Sequence, residues 1–195
     1  MIFLGTLFSA IFVSNVLLVK LDGMKFFNRE SSFSILITRG IKVIVVTLLT
    51  VLVEYPVTTF LLEPVGLEFL TPIFVILFSY GAHILVHKLL IWLPKVDDTE
   101  DIFVDYYVFT NSVIFTASII AGLSASFVES IALGLGFTIG HLLIMLIMFT
   151  VRPKLDLPGS PKRFKGKPAM LITMAIIAMA FMGLAGILWF LEEQF

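Results

Sequence analysis

The chain has 195 residues, of which 59% are apolar and only 14% charged, and its mean hydropathy is +1.08. Soluble domains average about 45–50% apolar and about 25% charged residues, so the composition is that of a polytopic membrane protein, a single integral membrane domain over residues 1–195. A net charge of −1 gives no electrostatic reason to expect nucleic acid. The absence of cysteine excludes disulfides, thiolate metal sites and cysteine-ligated iron–sulfur clusters within the chain.

Crossing the hydrocarbon core takes about 20 mostly apolar helical residues. Six stretches qualify: 2–19, 40–62, 69–93, 104–123, 127–151 and 169–191. No charged n-region or small-residue cleavage site marks the first as a removable signal, so it reads as a retained span. The fourth is interrupted by Asp105 and Asn111. Pro64, Pro94, Pro153 and Pro168 mark boundaries. All 13 basic residues then fall on one side of the membrane. Lys20, Lys25, Arg29, Arg39 and Lys42 lie in or beside the first loop, and Lys88 and Lys95 border the third. Arg152, Lys154, Lys162, Arg163, Lys165 and Lys167 fill the fifth. The positive-inside rule makes that side cytoplasmic and leaves both termini outside. An even split of the spans suits an all-α fold of two inverted three-helix repeats.

The first span, in VSNVLLVKLDGMKFF (residues 13–27), contains Asn15 beside Ser14. The fourth, in VFTNSVIFTAS (108–118), contains Asn111 between Thr110 and Ser112. An amide in hydrocarbon costs several kcal/mol unless hydrogen-bonded. Polar residues at matching places in inverted halves point to a shared midplane site, where broken or re-entrant half-helices expose backbone for an Asn to satisfy. The plainer alternative is that each Asn joins two helices.

On span two, Glu54 stands a dozen residues beyond Lys42, roughly 18 Å along a helix. Pro56 follows it and frees a carbonyl. An intramembrane carboxylate is a site for Na⁺ binding or proton relay, unless it merely reaches the outer interface. Glu63 and Glu68 read as loop residues, and Glu129 as a cap on span five. His83 and His87 share a face of span three. With His141 on span five they form a weak candidate for a His₃ metal site; hydrogen bonding within the bundle is the simpler role. Gly134, Gly136 and Gly140 on span five, and Gly183 and Gly186 on span six, read as surfaces for close helix packing.

The residues 13–27 resemble the V-N-N-x-x-L-x-x-F-L-G-x-C-P-F stretch of the RnfA/NqrE family, keeping Val13, Asn15, Leu18, Gly23 and Phe27. Thr110 and Asn111 match that family's T-T-N-C-A-V. Its I-R-E-R-L, P-x-x-F-R-G, A-L-I-T and A-F-M-G-x-x-G motifs are similar to residues 151–155, 161–166, 170–173 and 180–186 here. The resemblance covers nearly the whole chain. It implies an integral membrane subunit of an Rnf or Na⁺-translocating quinone reductase complex in a bacterial or archaeal cytoplasmic membrane. Its expected partners are a homologous membrane subunit with other Rnf/Nqr-type subunits. It also implies a [2Fe–2S] cluster shared between homologous subunits and held by cysteines. Those positions here are Lys25 and Ser112. Neither an ammonium nor a neutral hydroxyl replaces a thiolate on iron, so the family cluster is expected to be absent.

With no nucleophile–base pair and no nucleotide loop, the chain is not expected to be a catalyst alone. Two alternatives to membership of such a complex stand beside it. One is a cofactor-free transporter or channel-like protein using the Asn15/Asn111 site and Glu54. The other is a structural scaffold for a homologous partner.

Overall fold

The computed structural model describes residues 2–13, 15, 33–91, 112–155 and 166–192. These form six α-helices and no strand: α1 (Ile2–Phe12), α2 (Phe33–Val57), α3 (Thr71–Ile91), α4 (Ser112–Gly122), α5 (Phe127–Leu155) and α6 (Lys167–Glu192). In hydrocarbon a backbone must satisfy its own polar groups, and helices do so within one segment. Three helical stretches, Leu36–Val65, Glu68–Val86 and Phe127–Leu155, are long and apolar enough to cross a bilayer. The chain is an integral membrane protein.

The helix ends differ from the expected spans for identifiable reasons. α2 begins at Phe33, ahead of Gly40, because its first turns are polar; Thr38 Oγ1 donates to Ser34 O (2.9 Å). Pro56 does not stop α2. The missing N–H is absorbed by a wider π-helical turn, Thr58–Leu62, and 3₁₀ turns at Glu63–Val65 and Glu68–Leu70 then reverse the chain. Gly66 joins them at φ 72°, a left-handed conformation that favours glycine. Pro153 lies inside the last turn of α5 instead of ending it, next to Arg152 and Lys154, which suit a helix C-terminus. Pro168 sits in the first turn of α6, where its missing N–H costs nothing. The start of α5 is capped by Ser126, whose Oγ accepts from the Glu129 N–H at 3.3 Å; Glu129, expected to be the cap, supplies the donor.

α5 is the trunk of the bundle. It packs against α1, α2, α4 and α6, while α2 also packs on α3 and α4. Without a hydrophobic driving force between helices in lipid, close van der Waals contact has to hold them. The glycines of α5 allow it. A Cβ on Gly134 would lie 3.3 Å from Val51 Cγ2 on α2. One on Gly136 would collide with Ala10 of α1 and lie 2.9 Å from Leu7 O. One on Gly140 would lie 2.7 Å from Ile11 O. Gly136 and Gly140 are four apart and form a small-xxx-small face on which α1 rests. Gly183 on α6 behaves otherwise: it is exposed, and among the described residues nothing lies within 4 Å of its missing Cβ.

α2 and α5 run antiparallel. Gly40 meets Leu142 near one end, and Tyr55 meets Phe127 at the other (ring centroids 5.5 Å apart). Leu36, Met148, Met170 and Met174 close the first end, and Val43 packs with Val86 nearby. Arg39, Lys42, Lys88, Arg152 and Lys154 therefore belong to that end of the bundle. Among the described residues no Lys or Arg stands at the other.

Candidate functional site

Two polar zones stand out. The first lies where α1 stops. Asn15 is fully buried, and its Nδ2 donates to Ile11 O at 3.0 Å, satisfying a carbonyl left open at the helix end. A Cβ on Gly140 would come within 2.6 Å of the same Nδ2. The amide is therefore seated against the backbone of α5. α1 has 11 residues, about 16 Å, and α4 is described from Ser112 to Gly122. They meet over α5, where Ala10, Val113, Ala117 and Phe137 form one buried cluster. Ala10, near the end of α1, thus shares one cluster with Val113 and Ala117 of α4. Ser112 is half-buried at the first position of α4. Ser14, Lys25, Thr110 and Asn111 lie outside the described residues, as does Gly186 at the level of its side chain.

The second zone is at the end without basic residues. Glu54 is fully buried, and neither carboxylate oxygen has a hydrogen-bond partner. The carboxylate lies against Gly122, the last residue of α4, where a Cβ would come within 2.6 Å of Oε1. Beside it a cavity of about 260 Å³ opens between the π-helical turn and the turn after α4. Tyr55, Thr58, Thr59, Glu63, Glu68 and Gly122 line it. Glu63 and Glu68, expected to be plain loop residues, are exposed at this cavity.

Hydroxyls divide by depth. Thr47, Thr50 and Thr138 are buried and each donates to the carbonyl one turn back, at 2.8 Å. Thr58, Thr71, Ser118 and Ser130 are equally buried, yet their oxygens have no partner. All four flank the turns at the Glu54 end. Sequence reasoning singled out Glu54 but not these hydroxyls, since most Ser and Thr in membrane helices bond their own backbone. The proline-induced π turn was the available signal, because such turns recur at functional sites.

His83 is half-buried on α3 and His141 fully buried on α5, while the side chain of His87 lies outside the described residues. Among the described residues no three His, Asp or Glu side chains come together as metal ligands. The donor set does not fit an iron–sulfur cluster either, because the chain offers a hydroxyl at Ser112 and no thiol anywhere.

Comparison with known proteins gives this geometry a context. The chain is 28% identical over 190 residues to the A-type subunit of the ion-translocating oxidoreductase complex of Aliivibrio fischeri, covering 95% of this chain and 97% of that protein. The corresponding protein of Thioalkalivibrio sulfidiphilus is 28% identical over 186 residues, 93% of this chain and 95% of the relative. That of Colwellia psychrerythraea is 29% identical over 190 residues, 95% and 97%. The family model described as Rnf-Nqr subunit, membrane protein, matches residues 3–188. This match across almost the entire length leads to one conclusion: the chain belongs to the Rnf-Nqr family of membrane subunits.

Proposed function

We propose that the chain is a membrane subunit of an ion-translocating oxidoreductase complex, serving ion movement and assembly without carrying an iron–sulfur cluster of its own. The full-length similarity to the A-type subunits of such complexes carries this reading. The α1–α4 contact over Phe137 supports two inverted three-helix halves meeting at midplane, with Asn15 and Asn111 in equivalent roles. The basic end of the bundle faces the cytoplasm of a bacterial or archaeal cell, which sets both termini outside. The partners are a homologous membrane subunit together with further Rnf/Nqr-type subunits.

A second reading, a transporter that needs no redox partner, is favoured by one observation: the carboxylate buried without a partner at Glu54. Affinity purification from native membranes in mild detergent separates the two. Recovery together with redox-active subunits supports the complex. Recovery alone, with ion flux retained in vesicles, supports the transporter.

A further inference from the structure

The cavity between the π-helical turn and the turn after α4 has walls of mixed character. Its volume, about 260 Å³, is just below the roughly 300–1,000 Å³ of small-molecule sites. Glu63 and Glu68 stand exposed on it, one at the start of each 3₁₀ turn, and Gly66 turns the chain between them. Among the described residues no Lys or Arg stands at this end to pair with them. Tyr55 adds a buried ring to the wall, and Leu123 and Ala125 add apolar surface.

Two acidic residues on a turn are by themselves no more than a solvated loop. Thr58 sets this one apart. It lines the same cavity, is 4% exposed, and its hydroxyl has no partner in the protein. Thr47 and Thr50, earlier on the same helical run, each donate to the carbonyl one turn back. Thr58 opens the π-helical turn after Pro56, where carbonyls no longer follow the α-helical spacing that such a bond uses. A buried hydroxyl left over in this way calls for a group from outside the chain.

We propose that this cavity binds a primary ammonium group on a small carbon body, with Glu63, Glu68 and Thr58 as its acceptors. A primary ammonium carries three N–H donors and no acceptor, which two carboxylates and a hydroxyl oxygen match. The carbon body lies against Leu123, Ala125 and Tyr55, whose ring face also attracts a cation. A bare metal ion suits the cavity less. It needs oxygen ligands at about 2.0–2.6 Å on every side, whereas part of this wall is apolar, and among the described residues no three acidic or histidine side chains come together. Two sources supply the same group: a free small amine and the ethanolamine headgroup of a phospholipid. The lipid has access because Leu61, Val65 and Phe69, exposed on the same turns, present an apolar surface to the bilayer. The site uses neither Glu54 nor the Asn15 zone, and it belongs to the chain whether or not the chain works with redox partners.

Equilibrium binding of ¹⁴C-phenethylamine to the full chain in phosphatidylcholine nanodiscs, whose lipid has no N–H donor, tests the proposal. Saturable binding at one site per chain is expected. Ethanolamine should displace the probe, and choline at equal concentration should not, because its quaternary nitrogen donates nothing. Thr58→Val keeps the shape of the side chain and should weaken binding about tenfold, the loss of one hydrogen bond to a charge. Glu63→Gln and Glu68→Gln, both exposed, should each weaken it about threefold, and less at high salt. Repeating the measurement with phosphatidylethanolamine in the discs separates the sources. Loss of probe binding, with one such lipid retained per chain in native mass spectrometry, assigns the site to the headgroup; unchanged binding assigns it to a free amine. Absence of saturable binding in phosphatidylcholine discs overturns the proposal. So does wild-type affinity in both Thr58→Val and the Glu63→Gln, Glu68→Gln double variant, or equal displacement by choline.

Discussion

Replacing Gly140 with alanine tests the seat of α1 most directly. The added methyl would lie 2.7 Å from Ile11 O and 2.6 Å from Asn15 Nδ2, against an ordinary contact of 3.4 Å or more. The first neighbour is backbone, so relief requires shifting α1 as a body. Overpacking of this kind costs about 1–3 kcal/mol. Displacing the Asn15 amide also breaks its bond to Ile11 O and leaves two buried groups unsatisfied, about 1–3 kcal/mol more. A total of about 2–6 kcal/mol is expected from these two contributions. Gly81→Ala on α3 is the control, since nothing lies within 4 Å of its Cβ position, and it should change stability by under about 0.5 kcal/mol. Gly134→Ala belongs between them, because Val51 can yield a few tenths of an ångström. Reversible unfolding in mixed detergent–SDS micelles, followed by far-ultraviolet circular dichroism, measures all three. Equal stability of Gly140→Ala and Gly81→Ala would refute the docking of α1 on the Gly136–Gly140 face.

Further outcomes follow from the same geometry. Asn15→Leu should destabilise the fold by about 1–3 kcal/mol in that unfolding assay, through the bond lost to Ile11 O and a larger side chain against Gly140; a neutral result would show that the amide is dispensable. Gly122→Ala pushes a methyl to 2.6 Å from Glu54 Oε1 and should destabilise the fold by about 1–3 kcal/mol in the same unfolding assay; wild-type stability would refute this contact. Purified chain should contain no stoichiometric iron and show no visible charge-transfer absorption; iron that survives chelation contradicts this. Alkaline phosphatase fused to either terminus should be active, and fluorescence from a green fluorescent protein fused there would reverse the orientation.

Hydropathy made the helices at residues 33–62, 71–91 and 127–155 legible, because long apolar runs between turns have few alternatives in a bilayer. It was less informative for α1. The apolar run continues to Val19, yet the helix stops at Phe12, since hydropathy does not register where a buried amide turns back on its own helix. Prolines were ambiguous for a related reason: at Pro56 the loss of one donor was absorbed by a π turn, and at Pro153 by the frayed last turn of α5. The packing glycines of α5 were readable from their spacing, but Gly183 was not distinguishable from them until its neighbours were known. Glu54 was visible as a charge out of place. The unpartnered hydroxyls of Thr58, Thr71, Ser118 and Ser130 were not, because a Ser or Thr that lacks a backbone bond looks no different in one dimension from one that has it.

The seating of α1 on the glycine face of α5 also has a consequence for biosynthesis. α1 is synthesised well before the α5 surface it needs. Until then this short segment has no partner and spans only part of the bilayer. A truncated product ending before α5 should be poorly retained and quickly degraded, so quality control in the cell would read the arrival of α5 as the signal that the protein is whole.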